Sequence, residues 1–136
     1  MEAVMELGRG AKTVSWICQL VAAAVLGQTL FFKFTAAPES VYIFSTLGME
    51  PWGRIGTGIV EVIAVILLLL PRTGAIGAAV ALGLMAGALF FHLTRLGIEV
   101  QGDGGLLFKL SLVVTLCTAV VLVIRRRELP VVGDHF

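Results

Sequence analysis

Residues 54–73 read RIGTGIVEVIAVILLLLPRT, an almost unbroken apolar run that stops at Pro71 and carries one acidic residue, Glu61, in its interior. A helix needs about 17–25 mainly apolar residues to cross the roughly 30 Å hydrocarbon core of a bilayer, because each residue advances about 1.5 Å. The run from Arg54 to Leu70 meets that requirement, and the proline ends it. This stretch therefore predicts a membrane-spanning helix with a carboxyl group near its middle.

Three further stretches, residues 14–34, 74–94 and 106–124, have similar length and character. Of the 136 residues, 58% are hydrophobic and 14% are charged, whereas a soluble domain averages about 25% charged residues. A net charge of +1 offers no basic surface to a nucleic acid. We therefore expect an all-α integral membrane four-helix bundle, with residues 1–136 forming a single domain whose partner is the lipid bilayer.

The first span is expected to remain in the protein as a helix. Glu2 and Glu6 weaken the basic start that a cleaved leader needs, and Phe31, Phe32 and Phe34 stand where a cleavage site requires small residues. The chain is therefore expected to cross the membrane four times, with both termini on one side.

The connections between the spans differ in character. Pro38 and Glu39 suit the first turn of a helix and Gly48 suits its end, so residues 38–47 predict a short amphipathic helix at the outer membrane surface, over the bundle mouth. Residues 71–73 predict a tight helical hairpin. The glycines of residues 97–105 predict a mobile outer loop.

The distribution of cations predicts the orientation. Cytoplasmic ends of membrane helices carry an excess of Lys and Arg. The side of the termini has Arg9, Lys12, Arg72, Arg125, Arg126 and Arg127, and the other side has Lys33, Arg54, Arg95 and Lys109. Both termini are therefore expected in the cytoplasm.

Glu61 is the most informative residue of the sequence. An ionised and unpaired carboxylate near the bilayer centre is costly, so it must be paired, protonated or exposed to water inside the bundle. Arg54 and Thr57 lie seven and four residues earlier, on the same side of the helix. The functional interpretation is a ligand anchor or a proton carrier, and the structural interpretation is a hydrogen bond that locks two helices together.

Each span contributes one ionisable residue to its outer half: Lys33, Glu61, His92 and Lys109. This asymmetry predicts an outward-facing polar pocket above a dry, closely packed inner half, with Glu61 paired to a cation from another span or to Arg54. The alternatives are a structural hydrogen bond for His92 and lysines that extend to the interface. For Lys109 the helix leaves the choice open, because Ser111 lies on nearly the opposite face.

The cysteines and the histidine give no sign of a metal centre. Cys18 and Cys117 lie in apolar runs at similar estimated depth, without metal-ligand spacing. Buried free cysteine usually behaves as a small hydrophobe, and His92 has no second histidine suited to haem ligation. We expect no metal site.

Short motifs recur in a characteristic order along the chain: KFT at 33–35, APE at 37–39, LG at 47–48, PW at 51–52, LLLPRT at 68–73 and HL at 92–93. Together with Glu61, this order resembles the DoxX-like family of small bacterial membrane proteins over residues 14–124. The resemblance implies a four-helix bundle in the bacterial cytoplasmic membrane, association with redox complexes and a quinone as one candidate cofactor. It carries over Lys33, Glu61 and His92 as candidate functional residues.

The bundle implied by this resemblance is also similar to those of the emopamil-binding and vitamin K epoxide reductase groups. The chain lacks the C-x-x-C motif of the latter, which weighs against thiol-driven quinone reduction.

Three functions are compatible with these observations. The chain could bind a lipophilic or quinone-like ligand as a subunit of a redox complex, act as a small proton-coupled transporter through Glu61, or serve as a structural membrane partner. An enzyme acting alone is least favoured, because the sequence contains no recognisable nucleophile–base pair or cofactor motif. Gly83 and Gly87 fit either a homo-oligomer contact or packing within the bundle.

Overall fold

The computed structural model describes residues 8–130, so Glu2 and Glu6 lie outside the described residues. The long helices are α1 (Arg9–Phe34), α3 (Trp52–Leu69), α4 (Gly74–Phe91) and α5 (Leu106–Ile124), and the short helix is α2 (Pro38–Thr46). A π-helical turn, His92–Leu96, continues α4, and a 3-10 turn, Arg126–Glu128, follows α5. Within this described part of the chain, four helices, α4 taken with its π turn, are long and apolar enough to cross a membrane. The all-α fold with four spans and a short helix after the first is confirmed.

The four long helices form a closed ring. Each packs against the long helix before and after it in the chain, and α5 packs against α1. One end of the bundle carries α2 and residues 97–105, and we call it the α2 end. The opposite end carries the turn at residues 71–73 and is called the hairpin end. Every wall of the bundle is thus an antiparallel pair of helices.

The core fills the bundle from its middle to the hairpin end. It consists largely of small and aliphatic side chains, among them Ala22, Ala64, Leu68, Ala78, Ala81 and Val121. Small residues let helix backbones approach closely. At Gly77 the approach is so tight that a Cβ would lie 2.7 Å from the backbone nitrogen of Leu68. This half has the close packing that its small residues predict.

A buried polar cluster at the hairpin end was not predicted. Arg125, expected as a boundary charge, is only 6% exposed. Its Nε donates to Ser15 Oγ at 2.6 Å and to Gln19 Oε1 at 3.0 Å, and its Nη1 lies 2.9 Å from a Glu128 oxygen. Gln19 Nε2 donates to the carbonyl of Leu68 at 2.7 Å. The cluster therefore joins α1, α3 and α5, and this end is not wholly apolar.

The connection at residues 97–105 differs from the expected mobile loop. Asp103 Oδ1 accepts hydrogen bonds from the amides of Val100 and Gly105 at 2.9 and 2.8 Å, and its Oδ2 accepts from Leu107 at 3.1 Å. Val100 is 1% exposed. Partial burial alone would raise the pKa of Asp103, but these amide hydrogen bonds outweigh it and hold the pKa below its ordinary value. One carboxylate thus organises the loop and the start of α5.

Candidate functional site

A cavity of about 300 Å³ lies between the long helices in the half of the bundle nearer α2. Its volume is at the lower end of the range of small-molecule sites, about 300–1,000 Å³. Its apolar wall includes Phe32, Phe44, Leu84, Met85, Phe91 and Val114. Its polar residues include Thr29, Lys33, Thr57, Glu61, His92 and Ser111. A mainly apolar enclosure with a few convergent polar groups is typical of a ligand site.

Glu61 and Lys33 form an ion pair in the wall of this cavity. Lys33 Nζ lies 2.8 Å from Glu61 Oε2, and the two side chains are 15% and 3% exposed. The other carboxylate oxygen, Oε1, lies 2.8 Å from the hydroxyl of Thr29, one turn before Lys33 on α1. Both carboxylate oxygens are therefore held by α1, and the buried charge is compensated.

The Thr29 hydroxyl has a single hydrogen to donate, and two acceptor oxygens lie within hydrogen-bonding distance of it. Its Oγ1 lies 2.8 Å from Glu61 Oε1 and 2.9 Å from the carbonyl oxygen of Leu26. It donates to the carboxylate while Glu61 is ionised. If Glu61 took up a proton, the carboxylic acid could donate to Thr29 while Thr29 donated to Leu26. The site can therefore keep hydrogen bonds in both protonation states of Glu61.

A glycine brings the end of α1 onto α3. A Cβ at Gly58 would lie 2.9 Å from the ring of Phe34, so the aromatic side chain occupies the space that any larger residue would need. Phe34 follows Lys33 directly, and Gly58 lies one turn before Glu61 on α3. The contact places the lysine opposite the carboxylate. Thr57 lies next to Gly58 and lines the cavity.

His92 lies where α4 changes into its π-helical turn, and it is 5% exposed. Its Nδ1 lies 2.9 Å from the carbonyl oxygen of Gly97, and its ring packs edge-on against Phe108 with centroids 5.6 Å apart. A carbonyl oxygen only accepts, so Nδ1 carries the proton of this hydrogen bond. The ring thus anchors the following loop and also lines the cavity.

Arg54 lies apart from the cavity lining. Its Nε donates to Glu50 Oε1 at 3.0 Å, and its Nη1 donates to the backbone oxygen of Lys33 at 2.6 Å. Arg54 therefore caps the end of α1 and is paired with Glu50. Of the cations proposed as partners of Glu61, the structure places Lys33 beside it.

Lys109 also lies apart from the cavity, because its side chain is exposed on α5. Ser111, two residues further on and on nearly the opposite face of the helix, lines the cavity instead. The sequence left open which of these two faces points into the bundle. In the structure it is the face that carries Ser111. The structure therefore does not bring Lys109 together with the other candidate site residues.

The two cysteines meet away from the cavity. Cys18 on α1 and Cys117 on α5 have free thiols near each other, and both pack against the core. Within residues 8–130, no group of three or more His, Cys, Asp or Glu side chains is arranged to hold a metal ion. His135 lies outside that part of the chain.

Residues 17–119, which include every residue named in the cavity, match the sequence profile of the DoxX-like family. The chain belongs to the DoxX-like family. In this DoxX-like protein the matched region contains Lys33, Glu61 and His92, whereas Ser15 and Arg125 of the hairpin-end cluster lie outside it. A search of curated proteins and a search of solved structures gave no match. Together with its four apolar helices, membership identifies this chain as a membrane protein.

Proposed function

We propose that this DoxX-like protein binds a small lipophilic molecule, a quinone-like compound being the candidate, in the cavity at the α2 end. The observation that carries the proposal is the buried Lys33–Glu61 pair in the wall of a cavity of about 300 Å³. The polar part of the ligand would lie near Lys33 and His92. Its apolar part would lie against Phe44 and Met85.

The ion pair itself supports a binding role. Two apolar side chains of similar volume often stabilise a protein as well as a buried ion pair does, because the pair must be desolvated. The ammonium of Lys33 has three N–H groups, and the pair with Glu61 uses one direction of approach. A ligand oxygen could accept a hydrogen bond from another. The pair would then hold a positive donor in place inside an apolar cavity.

The packing below the cavity favours binding over proton-coupled transport. A transporter needs access to its central site from both sides of the membrane. Between the cavity and the hairpin end, Ala64, Leu68, Ala78 and Val121 have no exposed surface. A ligand held above such a layer would leave by the side on which it entered.

We further propose that the protein lies in the bacterial cytoplasmic membrane with the cavity facing outward, as a subunit or partner of a redox complex. The orientation is supported by the excess of cations at the hairpin end. The partner role is supported by the family resemblance and by a site that offers binding groups. A single domain comprising residues 1–136 is part of this proposal.

Binding can be tested in lipid nanodiscs with decylubiquinone and menadione as probes. Gly87 lines the cavity, and a Cβ added there would meet nothing within 4 Å. Gly87→Leu should therefore direct a larger side chain toward the cavity from an unobstructed Cβ, and weaken probe binding about tenfold or more. Gly27→Leu is the matched control, because Gly27 also has open space around it and lies outside the cavity lining.

We expect saturable binding by the wild type and by Gly27→Leu, with a clear loss in Gly87→Leu. Equal affinities in all three proteins would place the probes elsewhere, for example in the lipid or on the outer surface of the bundle. No saturable binding of either probe would remove the quinone-like assignment.

A further inference from the structure

The ring of His92 has one nitrogen in use and one free. Nδ1 donates to the carbonyl of Gly97 at 2.9 Å. Nε2 has no hydrogen-bond partner among the residues that the structure describes, although the residue is only 5% exposed and lines the cavity. A polar atom inside a mainly apolar cavity is best stabilised when a ligand or a water molecule forms a hydrogen bond with it. The free nitrogen therefore marks a place for a polar atom of the ligand.

The hydrogen bond of Nδ1 determines whether Nε2 donates or accepts a hydrogen bond. Because the backbone oxygen of Gly97 can only accept, the proton of the neutral ring is on Nδ1. The lone pair is then on Nε2, which makes this atom a hydrogen-bond acceptor. A carbonyl group of a ligand also offers lone pairs, so it would not form a hydrogen bond with Nε2.

Of the other oxygen-bearing side chains in the cavity wall, Glu61 and Ser111 are engaged with the protein, and Glu39, Ser40 and Thr57 also line the cavity. Glu61 Oε1 accepts from Thr29 and Oε2 is paired with Lys33. The hydroxyl of Ser111 donates to the backbone oxygen of Leu107 at 3.0 Å, so its hydrogen is in use. Lys33 offers donors and His92 offers an acceptor. A ligand that satisfies both needs an oxygen that accepts and a hydroxyl that donates.

We infer that the cavity selects a ligand that presents a hydroxyl group to Nε2 of His92, such as a phenol or the hydroquinone form of a quinone. This inference rests on the proposed function and names the ligand class of the same site. A hydroquinone keeps an oxygen lone pair for Lys33 while its O–H donates to His92, whereas the oxidised quinone has no O–H to offer His92. The reduced form is therefore bound more tightly than the oxidised form.

The test compares 4-hexylphenol with 4-hexylanisole in nanodiscs, with empty nanodiscs as the correction for partition into lipid. The two probes share ring and chain, and they differ in the O–H that the ether replaces by O–CH₃. We expect the phenol to bind the wild type about tenfold more tightly, the size of effect that one buried unpaired acceptor produces. This comparison needs no substitution in the protein.

A variant separates the two nitrogens of the ring. In His92→Asn the side-chain amide can still donate to Gly97, but nothing replaces Nε2. The preference for the phenol should fall to about onefold in this variant, while Lys109→Gln, a change on the exposed face of α5, should keep the wild-type ratio.

The outcomes distinguish this inference from the proposal on which it rests. Equal binding of phenol and ether by the wild type would overturn the hydroxyl preference and leave ligand binding intact. Binding of the quinone probes without binding of the phenol would also overturn it. If neither the quinones nor the phenol bound saturably, the proposed function and the inference would both fall.

Discussion

The ammonium of Lys33 and the carboxylate of Glu61 lie 2.8 Å apart, and they connect α1 to α3 in the middle of an apolar bundle. Charges at this depth interact strongly with each other because the surroundings screen them poorly. For the same reason, either charge alone is costly. The two side chains therefore depend on each other for their place in the membrane.

The first prediction concerns removal of one member of this pair. Lys33→Met should lower the free energy of unfolding by about 3–5 kcal/mol, the usual cost of leaving one buried charge uncompensated. The double variant Lys33→Met/Glu61→Met should regain much of that loss, since no charge remains. SDS unfolding in mixed micelles, monitored by circular dichroism, gives the free energy of unfolding of the wild type, the single variant and the double variant.

Lys109→Met is the control, because it removes a lysine that is exposed and has no part in the pair. Its effect should be small. A loss as large as that of Lys33→Met would mean that any lysine near this end of the bundle stabilises it, independently of Glu61.

The second prediction concerns the polar cluster at the hairpin end. Arg125→Met removes the donor that reaches Ser15 and Gln19 and leaves Glu128 without its cation. Ser15 and Gln19 keep the 2.6 Å hydrogen bond between them, so we expect a loss of about 1–3 kcal/mol in total, mainly from Glu128 without its cation. Arg126→Met, at the exposed neighbouring position, should change the midpoint of SDS unfolding little. Similar losses in both variants would argue for a general charge effect.

The third prediction concerns pH. The pKa of Asp103 is lower in the folded protein than in the unfolded chain, because three backbone amides bind the carboxylate. Its contribution to stability is complete above the ordinary pKa and is lost as the pH falls through the lowered one. Melting temperatures between about pH 6 and pH 3 should therefore fall more steeply for the wild type than for Asp103→Asn. Parallel curves would show that the carboxylate is not the group responsible.

The fourth prediction concerns orientation. In a protein with Cys18→Ala and Cys117→Ala, the added substitution Gln101→Cys should give a thiol that reacts with a membrane-impermeant maleimide in intact spheroplasts. In the same background, the thiol of Pro130→Cys should react only after the membrane is permeabilised. Both positions are exposed, and they lie at opposite ends of the bundle. The reverse labelling pattern would place the termini outside and the cavity toward the cytoplasm.

The sequence predicts most of the fold because length and apolar character decide where a helix can span a membrane. The boundaries expected for the second span, Arg54 to Leu70, differ from α3 by one or two residues. The first helix begins earlier than the expected Val14, at Arg9, because its first turn is polar and hydropathy gives no signal there. The short helix was predictable from Pro38 and Gly48, which mark its two ends.

The candidate site was only partly predictable. An acid in an apolar span demands a cation, but the sequence alone does not choose among Lys33, Arg54 and Lys109. That choice depends on how the helices are rotated about their axes, and in the structure Gly58 leaves room for Phe34 against α3 beside the pair. The order of residues 97–105 was missed because their glycines outweighed the capping signal of Asp103, just before α5.

The hairpin-end cluster shows a different limit. Gln19 has no charge and Arg125 lies beside two further arginines, so the sequence gives no sign that either residue belongs to a buried polar cluster. The available signal was the spacing of Ser15 and Gln19, which places two polar side chains on one face of a span. Their partner could not be named without knowing that α5 closes the ring against α1.

That closure has a consequence for biosynthesis. The ribosome completes α5 after the three other long helices, so until it arrives the nascent chain has an open trough where the cavity will be. During this interval Ser15 and Gln19 lie in the bilayer without the guanidinium of Arg125, which binds them in the complete bundle. Docking of the last helix therefore completes the cavity wall and adds the guanidinium to the existing Ser15–Gln19 hydrogen bond in the same step of assembly.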